Sequence, residues 1–331
     1  MATSRIRRQL RAAFSQQVKR KERKGKERKG KERSTRNMTA FEPESQPQPQ
    51  TSTYPIDAGQ AEELARLLQQ DRLITEAMGG LFPEGQTLPE GGRLLDLACG
   101  PGGWACEVAF QYPHVEVIGV DINPSTIEYA STQAQARGLP NISFEIMDIT
   151  QPLAFPDASF DLINGRSLFS FMRPQDWRHL LAECRRLLKP GGIIRLTETE
   201  FGLTSSPATE RYFALIAAAL KRAGQSFSPD GRHVGITPVL PRLLRQAGFN
   251  DVRLRAGAVE WSSDSPMHYA FFKDLFVLFQ LIQPFLLKTG VISREELEPL
   301  YQQAIAEAQG EDFCAIWPWL TVWGQQPNAT A

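Results

Sequence analysis

The chain has 331 residues, 42% of them hydrophobic and 22% charged, and a formal net charge of zero. That fits a soluble globular protein with a sizeable core, in one large domain or two smaller ones. The neutrality hides an asymmetry, because residues 1–37 carry fifteen Lys/Arg and three Glu, a net of +12, and leave a body of −12.

The basic tail contains KERKGKERKGKER at 21–33, a pentapeptide repeat too short and too charged to build a core. It reads as a solvated tail, as translated sequence upstream of a start at Met38, or as an arm for nucleic acid or an anionic membrane. It lacks the apolar run of a secretory signal. Residues 38–56 read as a Pro/Gln-rich linker.

Order is expected from Asp57. AGQAEELARLLQQDRLITEAMGG spaces its leucines as an amphipathic helix and stops at Gly79-Gly80. Short apolar or β-branched runs follow at 93–98, 115–120, 142–146, 160–164 and 192–198, with helical stretches such as 124–137 and 174–188 between them. Strands alternating with helices predict a parallel sheet covered on both faces. Beyond it, 209–224 and 239–248 read as helices, and 252–261 and 313–324 as further strands. Residues 264–309 form a helical insertion, so that 57–331 is one α/β domain. The most apolar stretch, FVLFQLIQPFLL at 276–287, is shorter than the ~20 residues of a membrane span and is broken by Gln280, Gln283 and Pro284. Four cysteines, Cys99, Cys106, Cys184 and Cys314, show neither metal-ligand nor redox spacing, which predicts buried thiols and a cytoplasmic protein.

The chemistry concentrates in RLLDLACGPGGW, residues 93–104, where a strand ends in an acid and a glycine-rich turn. At the carboxyl end of a strand, such a turn lets backbone N–H groups and a helix N-terminus approach a ligand, although it can also simply turn a corner. Asp121 ends the second strand about 20 residues on, where an acid accepts hydrogen bonds from ribose hydroxyls. Asp96, inside the first strand, can receive a positively charged group that a dinucleotide's pyrophosphate would not offer.

LLDLACGPGGW resembles the first motif of class I S-adenosylmethionine-dependent methyltransferases, an acid followed by x-Gly-x-Gly-x-Gly. Ala98 stands at the first glycine position, and Gly100 and Gly102 hold the other two; the turn tolerates alanine provided its φ is negative. In the same order, Asp121 matches the ribose acid, and Asp148 with Ile149 matches the pair that holds adenine. FPDASFDLINGRSLFSFM resembles the fourth strand, and RRLLKPGGIIRLTE a helix, a structural turn and the fifth. The resemblance runs over about 93–200 and more loosely to 324. It implies a Rossmann-like, seven-stranded, mostly parallel sheet with the last strand antiparallel, and S-adenosyl-L-methionine as cofactor. It also implies Arg166 in the cofactor pocket. Tyr54 followed by Glu63-Leu64-Ala65-Arg66-Leu67-Leu68-Gln69-Gln70 is similar to a segment that folds over the cofactor in small-molecule relatives, with Arg66 facing the methionine carboxylate.

Methyl transfer needs a general base only for an acceptor that is protonated at working pH. His233, His268 and Glu198, with Glu200 beside it, are the candidates, while His114 and His179 read as surface residues. No Asn/Asp-Pro-Pro-aromatic run follows the fourth strand and no Pro-Cys pair occurs, which with the acidic body disfavours nucleic acid as substrate. The insertion's Met267, Tyr269, Phe271, Phe272, Phe276, Phe279 and Phe285 read first as core or as an interface between two copies, and second as a pocket for an apolar small molecule. The expected function is methyl transfer to a small-molecule acceptor; a catalytically silent S-adenosylmethionine-binding protein and a tail-recruited nucleic-acid methyltransferase are the alternatives.

Overall fold

A computed structural model describes residues 52–328; the tail, most of the linker and the last three residues lie outside them. The described elements run α1 (Ala61–Ala77), β1 (Arg93–Leu97), α2 (Gly103–Gln111), β2 (Glu116–Asp121), α3 (Pro124–Ala136), β3 (Ile142–Ile146) and β4 (Phe160–Arg166). A 3-10 turn (Leu168–Ser170), α4 (Pro174–Leu187), β5 (Leu188–Thr199), β6 (Leu203–Thr204), α5 (Pro207–Arg222), α6 (Ile236–Gln246) and β7 (Asn250–Glu260) follow. Three helices, α7 (His268–Leu281), α8 (Gln283–Thr289) and α9 (Arg294–Ala308), then precede β8 (Ala315–Gln325).

The strands form one sheet in the order β3-β2-β1-β4-β5-β8-β6, with β7 on the other side of β8. β1 to β5 are parallel, and β8 runs antiparallel to β5, β6 and β7. Among the described residues the sheet has eight strands, one more than the resemblance implies. The extra strand, β6, pairs only Leu203 with Ile316 and Thr204 with Ala315, on the part of β8 that projects beyond β5.

Alternation along the strands separates two apolar layers. Leu94, Val117 and Leu162 pack with Trp104 and Val108 of α2. Leu95, Leu97, Ile118, Val120 and Ile163 face the opposite layer, with Trp177 and Leu180 of α4. Each fully buried leucine there contributes about 1.5–3 kcal/mol. Helix starts are set locally: Asn123 accepts from the Ser125 and Thr126 N–H groups, and Ser293 with Glu296 closes a capping box on α9.

The aromatic stripe of α7 is core: Phe271, Phe276 and Phe279 are buried, whereas Tyr269 is exposed. Tyr212 of α5 stacks on Phe279 at 3.9 Å and donates to its carbonyl at 2.7 Å. No single described helix is long and apolar enough to cross a membrane, and the apolar pair α7–α8 bends by 43° at its junction.

Candidate functional site

One cavity of about 490 Å³ opens at the carboxyl ends of β1, β2, β4 and β5. β1 delivers Asp96 to it on the α2 face, and the chain then turns through Ala98 to Gly102. The turn is closed from within: the Cys99 N–H donates to the Val120 carbonyl at 2.9 Å, and the Gly102 N–H to the Cys99 carbonyl at 3.1 Å. Reaching those partners puts Ala98 at φ +48°, contrary to the negative φ expected of an alanine.

The two motif glycines do different things. Gly100, at φ +54°, faces open space and lines the cavity. Gly102, at φ +77°, does not line it, which corrects its placement among the ligand contacts. A Cβ there would lie 2.7 Å from the Phe144 ring and 2.9 Å from Ala130, so this glycine serves the packing of α2 and α3 on the sheet. Gly103 takes its place on the cavity wall.

Asp121 uses both oxygens on the turn, accepting from the Gly100 N–H at 3.1 Å and the Asn123 N–H at 2.9 Å. Burial raises its carboxyl, and those backbone donors oppose the rise. Asp148 holds its own turn through Oδ1, which accepts from the Thr150 N–H at 2.9 Å and hydroxyl at 2.7 Å. Ile149 lies beside it on the cavity wall. Asp96 is buried and accepts from Asn164 Nδ2 at 2.7 Å; burial pushes its carboxyl up to about 7 against the pull of Asn164 and Arg195.

Helix α1 roofs the cavity with Arg66, Leu67, Gln70, Asp71 and Ile74. Arg66 is not a free cation, as facing a ligand carboxylate would require. It donates twice to Glu63, at 2.8 Å each, and to Asp274 of α7 at 3.2 Å. Tyr54 donates to Glu63 at 2.7 Å and Gln70 to Asp274 at 2.9 Å, so a buried cluster of two acids and one arginine joins the N-terminal segment, α1 and α7. Arg166 lines the cavity, where it pairs with Asp71 and donates to Thr75 at 3.0 Å.

None of the four candidate bases lines the cavity. Glu198 is fully buried and accepts from the backbone N–H groups of Leu168 and Phe169 at 2.9 and 3.2 Å, holding the turn after β4. Its neighbour Thr199 lines the cavity, and strand alternation sends Glu198 the other way. Burial pushes the Glu198 carboxyl up to about 8. His233 is exposed on a loop. His268 starts α7 with its ring stacked on Trp261 and Nδ1 3.0 Å from the Trp261 carbonyl, in an aromatic cluster with Phe272 and Phe313. Glu200 accepts from the N–H groups of Val234, Gly235 and Thr237 at the start of α6.

Part of the cavity wall is aromatic: Phe169, Phe171, Phe201, Trp317 and Trp319, with Leu278 of α7. Trp317 and Trp319 project from the same face of β8 and stack at 6.3 Å. The Trp317 indole donates to the Thr199 hydroxyl at 2.8 Å, which fixes its ring. Sequence reasoning did not assign these rings to the site, although the W-P-W spacing of two already placed both tryptophans on one face of a strand.

Residues 94–192 match the family model described as a methyltransferase domain. Among curated proteins the chain is similar to the secondary metabolism regulator laeA of Coprinopsis cinerea, 27% identical over 65% of this chain and 54% of that protein. It is also similar to 27-O-demethylrifamycin SV methyltransferase of Amycolatopsis mediterranei, 34% identical over 44% of this chain and 51% of that one. The chain spans about half the length of the curated relatives it matches. Among solved structures, phosphoethanolamine N-methyltransferase 2 of Haemonchus contortus in complex with S-adenosyl-L-methionine is 17% identical, covers 81% of this chain and 59% of its own, and superimposes with a TM-score of 0.49. The matched segment is the one that carries the glycine turn and both strand-end acids. Over residues 94–192 this chain is therefore similar to a methyltransferase domain.

Proposed function

We propose that the chain transfers the methyl group of S-adenosylmethionine to a small, largely apolar acceptor. The observation that carries the reading is that one cavity is lined both by Asp96, Asp121 and the open turn at Gly100 and by the rings of Phe169, Phe201, Trp317 and Trp319. When bound, S-adenosylmethionine supplies a methyl group already activated for in-line displacement. In this reading Asp121 accepts from the ribose hydroxyls, Asp148 holds the adenine, and Asp96 offers a carboxylate to a cationic group. Phe169, Phe201, Trp317 and Trp319 give the acceptor an aromatic, apolar wall and exclude water, which serves proximity and orientation. The names of relatives that methylate demethylmenaquinone and demethylrifamycin support a small-molecule acceptor. The relative named as a regulator of secondary metabolism supports a second reading, cofactor binding without turnover.

Calorimetric titration of S-adenosylhomocysteine into the full chain, beside Asp121→Ala, tests the first step. Loss of a charged acceptor of two hydrogen bonds lowers affinity by about 1.5–3 kcal/mol, roughly ten- to hundredfold. No binding by the unaltered chain overturns the reading. Methyl transfer to any of a panel of apolar hydroxyl and amine compounds separates the enzyme from the silent binder.

A further inference from the structure

Asp96, Asn164 and Arg195 occupy registered positions on three adjacent parallel strands: Asp96 of β1 pairs with Asn164 of β4, and Asn164 with Arg195 of β5. Registered neighbours project from the same face, so their side chains form a row across the sheet. Asn164 Nδ2 donates to Asp96 Oδ1 at 2.7 Å, and Arg195 Nη1 donates to Asn164 Oδ1 at 2.8 Å. Arg195 Nε donates to Glu84, which balances its charge. The guanidinium also lies 5.9 Å from the centres of the Phe82 and Trp104 rings. All three row members are buried, and only Asp96 lines the cavity.

The chemistry of the row gives it a direction. Arginine has donors only, so the amide oxygen of Asn164 must face Arg195 and its NH2 must face Asp96. An NH2 group held against a carboxyl favours the charged acceptor over the protonated acid. The other groups around Asp96 do not supply that bias. Asp121 of β2 opposes it, and the thiols of Cys99 in the turn and Cys106 in α2 are held protonated by burial. Across the cavity, Arg166 is paired with Asp71.

We propose that Arg195, acting through the fixed amide of Asn164, is a positioning residue that keeps Asp96 ionised for the cationic group of the bound ligand. The row itself is independent of any ligand; the identity of that cation, the ammonium of the methionine moiety, rests on the methyltransferase reading. Burial and Asp121 push Asp96 up, Asn164 and Arg195 push it down, and the balance falls at about 7. Losing either row member makes Asp96 neutral under conditions where the intact chain keeps a charged fraction.

The test separates the row from the cofactor. Carbon-13 NMR of labelled aspartate carboxyls, in the ligand-free full chain, follows Asp96 with pH. Asn164→Leu is expected to move its midpoint up by about one pH unit or more. The double variant Glu84→Gln/Arg195→Met, which removes a balanced buried pair and leaves Asn164 free to turn over, moves it the same way. It carries the test alone if Asn164→Leu does not fold. Calorimetry then expects each variant to bind S-adenosylhomocysteine about tenfold or more weakly near pH 7 and to recover towards the unaltered chain near pH 9. A structural lesion would not recover. An unmoved Asp96 midpoint in the folded variants overturns the proposal. Shifted midpoints in a chain that binds no S-adenosylhomocysteine uphold the row and overturn the methyltransferase reading instead.

Discussion

Ala98 shows how a single dihedral separates two residues that look interchangeable in sequence. Its φ of +48° holds an L-residue in left-handed backbone, at a cost of about 1–2 kcal/mol. Ala98→Gly relieves that strain and gives part of it back as unfolded-state entropy. Its expected gain is about 0.5–1 kcal/mol, a rise of a few degrees in Tm; an unchanged or lower Tm would show that the turn relaxes without glycine. The two glycines that follow divide in the opposite sense. Gly102→Ala drives a methyl into Phe144 and Ala130 and is expected to cost about 1–3 kcal/mol of stability. Gly100→Ala meets no atom within 4 Å and is expected to cost stability little beyond its backbone strain, while its methyl enters the cavity and weakens S-adenosylhomocysteine binding. Melting curves and titrations on the pair read the two effects separately. Reversed effects would show that the motif glycines have been assigned the wrong way round.

At the scale of elements, α1 is tied down by charge as much as by packing. Arg66→Leu leaves Glu63 and Asp274 buried without their cation, at a cost of about 3–5 kcal/mol. Burial already raises Asp274, so in the variant its protonation relieves the unpaired charge. The gap in stability between variant and parent therefore narrows as pH falls from about 8 to about 5. Urea unfolding at both pH values measures it, and a gap independent of pH argues against the charge cluster. The same scale explains what the sequence could convey. β1, its turn and Asp121 were legible because a strand, a glycine turn and an acid lie within some thirty residues and depend on local rules. Glu198 was misjudged because its direction depends on which face of β5 meets the cavity, a matter of register. His268 was misjudged because Trp261 and Phe313 come together around it only in three dimensions. Arg66 carried the right motif, yet its partner Asp274 is 208 positions away. The W-P-W alternation of β8 was readable; what could not be read was that β8 pairs with β5 and so brings both rings over the cavity.

For the molecule as a whole, buried acids set the pH response. Asp96 and Glu198 are raised to about 7 and about 8, chiefly by burial. Between their ordinary values and these, the folded chain keeps protons that the unfolded chain releases, so stability falls as pH rises through that window. Glu107, Glu183 and Glu307 are lowered, and their contribution is lost only on acidification below about 4.5. The expected outcome is a higher urea midpoint near pH 5.5 than near pH 8.5, and a flat profile would count against both assignments. The acidic and the aromatic parts of the cavity wall also differ in when they can exist. Asp96 to Ile149 gather through neighbouring strands, whereas the Trp317–Thr199 bond spans 118 positions. Long loops must close before such contacts reward the chain. A refolding molecule is thus expected to shape the wall of Asp96, Gly100 and Asp121 before it raises the wall of Trp317 and Trp319, and pulse-labelled hydrogen exchange should protect β1 and β2 ahead of β8.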